Sequence, residues 1–291
     1  MTTRRFLQLD VFSTGAGTGN PLAVVLDAEG LDDAAMQAIA RWTRLPETTF
    51  VLPAIDAASS YRLRMFSPQK EVPFAGHPSI GTAHAVIEAG LASPREGLLV
   101  QDGIAGRLPL RVEGEGRERR IAIRTPRASV AEVVEASDAR LERALAGWPL
   151  GNLPPARMQG GRSWWVVEVA DEAALRAVAP DWDAIASLAE STGSMGVFAY
   201  ARCAGQPWDI AVRAFVGNGR RFEDAASGAA NAVLAAWLDE RDAMPGGRRE
   251  YTASQGREVG HDARLHLAMD DAGEVWSGGQ ILTVIRGTID W

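Results

Sequence analysis

Two stretches of this chain each join a turn of small residues to a helix that is apolar on nearly every side. The first runs from Val72 to Gly90 and the second from Phe222 to Leu238. Taken singly, either pattern is also typical of an ordinary packing helix. A helix without a polar face is buried, so the fold must surround it. Its N-terminus presents unpaired N–H groups and a positive dipole end, which suit a carboxylate. Two such stretches predict two similar halves whose helix N-termini face one pocket.

Composition narrows the class of protein. The chain has 291 residues, enough for two domains, and its 46% hydrophobic and 23% charged residues are typical of a soluble globular protein. A formal net charge of −7 argues against nucleic acid or an anionic membrane as a partner. No apolar run approaches the roughly 18 residues of a membrane span. The single cysteine, Cys203, fits a reducing compartment, so we expect a cytoplasmic protein.

Hydrophobic periodicity predicts that helices and strands recur in the same order in both halves. Residues 125 to 137 lack strong periodicity and contain Pro126, which indicates a domain junction. We therefore predict one domain over residues 1–125 and another over 126–279. Besides the two buried helices, the pattern predicts helices over 32–45, 138–146, 171–179 and 182–190, and strands over 6–12, 22–26, 47–52, 61–66, 98–101, 107–112, 120–124, 164–169, 197–201, 210–216 and 281–285.

Three polar residues at the turns and strand ends are candidates for catalysis. Glu47 opens a strand, and the matching position of the second half holds Met195. His77 lies in the first turn, where the helix dipole favours the neutral imidazole. Asp224 precedes the second helix. Each has a structural alternative, as a strand-edge, capping or dipole-complementing residue. Together they suit proton transfer on a small carboxylated substrate. The histidines and the cysteine show no metal-ligand spacing, so we expect no metal.

Five motifs in fixed order carry a resemblance to a known family. The chain resembles the PhzF-like family of phenazine-biosynthesis isomerases, which have the diaminopimelate epimerase-like fold. The motifs are G-N-P-L-A-V-V (19–25), P-E-T-T-F-V (46–51), F-A-G-H-P-S-I-G-T (74–82), E-D-A-A-S-G-A-A (223–230) and Q-G-x-E-x-G (255–260), the last accompanied by the glycine pair at 278–279.

The resemblance implies an α+β fold with two similar domains. Each would be a strongly bent, mostly antiparallel sheet or barrel around a central helix, with the active site in the cleft between them. The last strand, 280–291, would complete the first domain. The resemblance also implies a homodimer that needs neither a metal nor an organic cofactor and whose partner is a small carboxylated metabolite.

The resemblance implies a role for each candidate residue. Glu47 matches a catalytic acid/base that moves a proton along a cyclohexadiene carboxylate, as in isomerising trans-2,3-dihydro-3-hydroxyanthranilate. His77 and Asp224 match a supporting polar pair. The residues expected to bind the substrate are Gly76, Ser79, Ser227 and Gly228, which hold its carboxylate, and Asn20, which reaches the same cleft.

Two departures from related patterns refine the prediction. Ala75 and Ala226 occupy the positions where the two-cysteine racemases of this fold carry their thiols, which argues against thiol racemisation. The second turn reads D-A-A-S-G-A-A where the family has D-P-A-T-G-S-A. Ala229 thus replaces a serine expected to contact substrate, a loss of about 1–3 kcal/mol if buried. This favours a different small acidic substrate. A lyase or tautomerase on similar chemistry, and a non-catalytic metabolite-binding protein, remain alternatives.

Overall fold

The computed structural model describes residues 1–135 and 137–291. They form two compact units, residues 1–124 with 278–291, and residues 125–277 apart from 136. The status of these units as separate domains stays a prediction. No helix formed by the described residues is long and apolar enough to cross a membrane.

Strands outnumber helices in both units. The first contains β1 (Thr3–Val11), β2 (Asn20–Val25), α1 (Asp33–Thr43), β3 (Glu47–Leu52), β4 (Tyr61–Phe66), α2 (Gly76–Glu88), β5 (Leu98–Asp102), β6 (Leu108–Glu113) and β7 (Arg120–Arg124). The second contains β8 (Ser129–Val133), α3 (Ala139–Glu142), β9 (Ala156–Gly160), β10 (Arg162–Glu168), α4 (Glu172–Ala177), α5 (Trp182–Thr192), β11 (Gly196–Arg202), β12 (Ile210–Val216), β13 (Phe222–Asp224), α6 (Gly228–Glu240), β14 (Glu250–Gln255) and β15 (Ala263–Met269). The last strand, β16 (Val275–Asp290), begins in the second unit and ends in the first.

In the first unit the sheet closes around α2. Strands β1 to β7 are neighbours in chain order. Strand β16 lies beside β7 and also pairs with β1, which closes the sheet. The β2–β3 and β4–β5 pairings are parallel, whereas β1–β2, β3–β4, β5–β6, β6–β7 and β1–β16 are antiparallel. Helix α2 packs on β1, β2, β3 and β7. Gly81 permits this approach, because a Cβ there would lie 2.5 Å from Leu22 Cδ2 and 2.8 Å from Val11 Cγ2. The predicted bent sheet around a central helix is confirmed in this unit.

In the second unit the strand order is β15, β14, β12, β11, β10, β9 and β8, with β13 on β12. Helix α6 packs against β8, β9, β10 and β15. Helices α4 and α5 pack on β11, where a separate apolar cluster includes Trp165 and Phe215. This unit therefore repeats the sheet-and-helix design of the first, and the predicted α+β class is confirmed.

Both buried helices begin within the predicted turns, but they begin differently. Helix α2 follows Ala75, which has no side chain able to cap it, and Gly90 beyond its end has a left-handed backbone with φ of 67°. Helix α6 follows Ser227, whose side chain accepts from the Ala230 N–H. The α2 N-terminus is therefore the end without a side-chain cap.

Some predicted elements differ from the structure. The helix expected over 138–146 is wrong in length, since α3 ends at Glu142 and the next residues form turns. Ala146 N–H donates to the carbonyl of Arg143, three residues back, rather than four as in an α-helix. Strands β8 and β9 were not predicted, and β8 lies where weak periodicity indicated a junction.

Candidate active site

Glu47 and His77 lie side by side in the first unit. Glu47 is the first residue of β3, which runs parallel to β2, and His77 is the second residue of α2. The Oε2 atom of Glu47 lies 3.4 Å from Nε2 of His77. Their side chains are only 19% and 10% exposed, so little water separates or screens them. Two candidates from distant motifs are thus brought together.

The surroundings of His77 fix its charge and its orientation. Burial lowers the pKa of His77 to about 3, and a hydrogen bond to the backbone of Pro21 acts in the opposite direction. Proline has no N–H, so the imidazole must donate and the carbonyl must accept. The imidazole is therefore neutral near neutral pH. The sequence predicted this neutral state from the helix dipole, and the structure adds burial as its cause.

Hydroxyl groups fix the first turns of α2 onto the sheet. The Thr82 and Thr49 Oγ1 atoms are 2.8 Å apart, and Thr82 Oγ1 lies 2.7 Å from the Pro78 carbonyl. The Ser79 hydroxyl donates to the Ala75 carbonyl at 3.0 Å, and Ser79 is fully buried. This hydroxyl is thus engaged within the helix, and the neighbouring backbone is what the turn offers to a ligand.

Gly76 and Asn20 occupy positions beside this pair. A Cβ at Gly76 would meet only Ile123 Cγ2, at 3.9 Å, so packing does not require glycine there. Asn20 begins β2, pairs with Val11 of β1 and is buried. Both therefore belong to the same region of the first unit as Pro21, the hydrogen-bond partner of His77.

In the second unit, Asp224, Ser227 and Gly228 form one continuous segment between β13 and α6. The Oδ1 atom of Asp224 accepts from the Ala226 N–H at 3.3 Å. Ser227 caps α6, and Gly228 is its first residue. The predicted grouping of these three residues at one helix N-terminus is what the structure shows. Their meeting with Glu47 and His77 in one cleft stays a prediction.

Arg162 and His261 are basic neighbours of Asp224 that sequence analysis did not single out as site residues. Burial raises the pKa of Asp224, while hydrogen bonds from Ala226 and Ser227, and the charges of Arg162 and His261, oppose that rise. Arg162 opens β10 and its guanidinium lies 3.5 Å from the sulfur of Met195. The sequence marks Met195 only as the residue that matches Glu47 in the second half. The correspondence between the two halves is therefore the sequence signal that pointed to the region around Arg162.

The single cysteine belongs to neither turn. Cys203 follows β11 and is half-buried, and burial, with Glu172 beside it, raises the pKa of its thiol to about 12. The thiol therefore stays protonated near neutral pH and is a poor base or nucleophile. Across residues 1–135 and 137–291, no group of three or more His, Cys, Asp and Glu side chains is placed to hold a metal ion.

Each unit thus centres on a buried helix with titratable side chains near its N-terminus. The family model described as "Phenazine biosynthesis-like protein" matches residues 9–287. The chain belongs to this family, as the motifs predicted.

Relatives and solved structures extend over nearly the whole chain. A Schizosaccharomyces pombe protein named Antisense-enhancing sequence 1 is 32% identical, with 99% of each chain covered. The trans-2,3-dihydro-3-hydroxyanthranilate isomerase of Pseudomonas aeruginosa is 29% identical, covering 93% of this chain and 92% of its own. A Bacillus anthracis phenazine biosynthesis protein of the PhzF family has the same fold, with a TM-score of 0.81, 22% identity and full coverage of both chains. The predicted fold class is confirmed.

Proposed function

We propose that the protein moves a proton on a small unsaturated cyclic carboxylate, with Glu47 as the general acid and base. The protein is an enzyme of the isomerase class, in keeping with the names of its relatives. The Pseudomonas aeruginosa relative acts, by its name, on trans-2,3-dihydro-3-hydroxyanthranilate. In such a reaction a proton leaves one carbon, made acidic by conjugation, and returns to another, so that mass is conserved.

The observation that carries this proposal is the pair formed by Glu47 and His77. The Nε2 atom of the imidazole faces Glu47, so the nitrogen that donates to Pro21 is Nδ1. In a neutral imidazole only one nitrogen carries hydrogen, which leaves Nε2 as an acceptor. The pair is therefore satisfied when one proton lies between Nε2 and the Glu47 carboxyl.

This arrangement suits a residue that must take up a proton and return it. An ionised Glu47 faces a lone pair rather than an N–H, so it gains no hydrogen bond from His77 until it accepts a proton. The protonated carboxyl is then oriented by Nε2 and can return the proton. His77 thus acts by holding Glu47 rather than by changing its own charge.

The substrate carboxylate would be held by backbone at the helix N-termini. The uncapped start of α2 offers N–H groups and a favourable dipole. Gly76 has room for a ligand, because the fold does not require its missing side chain. Ser227 and Gly228 supply the corresponding backbone of α6, and Asp224 provides a second polar contact. Asn20 would bind substrate beside His77.

Four further properties belong to the proposal: cofactor use, location, oligomeric state and one feature of the substrate. Proton transfer from a conjugated carbon needs neither a metal nor an organic cofactor, so we propose that the enzyme uses none. We propose a cytoplasmic homodimer, as the family resemblance implies. Because Ala229 stands where the family has serine, we propose that the natural substrate lacks the polar group which that serine would contact.

Product analysis tests the proposed function. The protein is incubated with trans-2,3-dihydro-3-hydroxyanthranilate and related unsaturated amino and hydroxy acids, and the products are measured by mass spectrometry. We expect a product of unchanged mass, and a loss of about 100- to 10,000-fold in rate for Glu47→Gln, the usual contribution of a general acid/base. Glu29→Gln, at an exposed site, is the matched control. Loss of water or ammonia would instead establish a lyase.

A further inference from the structure

The Asp224 turn, residues 224–227, has two long hydrogen bonds of its own. Asp224 Oδ1 accepts from the Ala226 N–H at 3.3 Å, and Ser227 Oγ accepts from the Ala230 N–H at 3.4 Å. Both distances exceed the usual 2.7–3.2 Å of such bonds. The Ser227 side chain also bonds to Asp224, and contacts from outside the turn add to these local bonds.

One distant side chain bonds to both ends of the Asp224 turn. Gln255, the last residue of β14, is fully buried. Its Nε2 donates to the Asp224 carbonyl at 2.8 Å, and its Oε1 accepts from the Ser227 N–H at 3.2 Å. A carbonyl can only accept and a backbone N–H can only donate, so these partners fix which way the amide points. A single planar group thus sets the separation of the two ends.

Asn231 completes a buried pair of amides beneath the turn. Its Nδ2 donates to Gln255 Oε1 at 2.9 Å and to the Ser227 carbonyl at 2.9 Å. Asn231 is fully buried within α6, where an apolar residue would be expected. Buried polar groups are costly to leave unpaired, so the pair favours one arrangement over nearby alternatives.

Gly256 brings the backbone after Gln255 against the same turn. Its φ is 90°, and an added Cβ would lie 2.4 Å from the Ala225 carbonyl oxygen. The Gln-Gly pair of the fifth sequence motif therefore packs directly on the Asp224 turn. This contact is a role for the motif that sequence analysis did not predict.

We propose that Gln255 is a positioning residue that holds Asp224 and the N-terminus of α6 in the geometry needed for turnover. This inference rests on the proposed function for the roles of Asp224, Ser227 and Gly228. It adds that the turn is set from β14, by an amide that fixes both of its ends.

Two substitutions separate positioning from filling of space. Gln255→Met keeps a similar length and loses all three hydrogen bonds. Gln255→Glu keeps an acceptor for Ser227 but places an oxygen against the Asp224 carbonyl, and it regains a donor only when protonated. Gln101→Met is the matched control, because Gln101 is a buried glutamine of the first unit that faces Tyr61 Oη at 3.5 Å.

The test combines a readout without substrate with one that needs it. Hydrogen exchange of the Ser227 amide and titration of the Asp224 carboxyl are followed by NMR in wild type and the three variants. In Gln255→Met we expect the Ser227 amide to exchange at least about 10-fold faster, since its acceptor is gone. Because burial holds the pKa of Asp224 up, we expect that pKa to fall towards the ordinary aspartate value once the turn is released. Gln101→Met should resemble wild type.

Turnover gives the second readout. We expect kcat to fall about 10- to 100-fold in Gln255→Met, with a smaller change in KM, as for loss of a positioning contact. Gln255→Glu should recover relative to Gln255→Met as the pH is lowered, since its protonated carboxyl can again donate. Unchanged Ser227 exchange and Asp224 titration in folded Gln255→Met would overturn the inference whatever the substrate is. Absence of turnover by wild type would instead count against the proposed function alone.

Discussion

The Nε2 atom of His77 lies 3.4 Å from Oε2 of Glu47, while the same imidazole donates to the Pro21 carbonyl. The carboxyl thus faces a histidine that burial keeps neutral. The pair joins the start of β3 to the start of α2, and Pro21 ties it to β2. A change to the imidazole should therefore alter both the free energy of unfolding and proton transfer by Glu47.

His77 makes stability depend on pH in a defined window. Its folded pKa of about 3 lies below its ordinary value of 6.5, so the unfolded chain takes up the proton first as the pH falls. The free energy of unfolding should decrease from about pH 6.5 down to about pH 3, by on the order of 5 kcal/mol in all. Urea unfolding of wild type and His77→Gln measures this. Parallel pH dependences in the two proteins would contradict the assignment.

Two glycines of α2 should respond to alanine in opposite ways. Gly81→Ala places a Cβ against Leu22 and Val11 and should lower the free energy of unfolding by about 1–3 kcal/mol. Gly76→Ala meets no such obstacle and should leave stability within about 0.5 kcal/mol, yet weaken binding of a carboxylate at the turn. Urea unfolding and titration with a substrate-like carboxylate provide the comparison. Equal destabilisation by both would show that Gly76 has a packing role.

Asp224→Asn should stabilise the fold while it impairs turnover. Burial raises the pKa of Asp224, so its ionised form costs the folded state free energy at neutral pH. Asparagine keeps an oxygen to accept from Ala226 and carries no charge. Because the unfolded carboxyl ionises first, the gain in unfolding free energy should develop as the pH rises from the ordinary aspartate pKa to the raised folded pKa, and it should vanish in acid, where both states are protonated. A loss of stability at neutral pH would show that ionised Asp224 stabilises the turn.

Cys203 should be dispensable for the reaction. Its thiol has a pKa raised to about 12, so almost none is thiolate near neutral pH. We expect slow labelling by a thiol reagent and kcat within about two-fold of wild type for Cys203→Ala. A large loss of turnover, in protein that unfolds at the same urea concentration, would reopen thiol chemistry.

The sequence predicted the helices and strands that local hydrophobic pattern and motifs specify. The buried helices followed from apolar residues on all faces, and β3, starting at Glu47, follows the predicted limits. Strand β8 was not predicted because its five residues are mostly exposed and carry little apolar signal. The three-residue strand β13 is shorter still.

The contacts that shape the candidate site could not be predicted from the sequence, because they join residues that are far apart in the chain. Glu47 and His77 are 30 residues apart in the chain and belong to different motifs, so the sequence alone does not place their side chains side by side. Nothing local indicated that Pro21 would accept from His77, or that Gln255 would bond to Asp224, 31 residues away. Such pairs are set by the order of strands in the sheet, which composition and periodicity do not specify.

The central claim is that Glu47 transfers a proton, and deuterium uptake tests it most directly. Wild type, Glu47→Gln and the Glu29→Gln control are incubated in D₂O with the panel of unsaturated cyclic acids, and NMR follows deuterium at each carbon. We predict uptake at one defined carbon by wild type and the control, and none by Glu47→Gln. Undiminished uptake by folded Glu47→Gln would contradict the account.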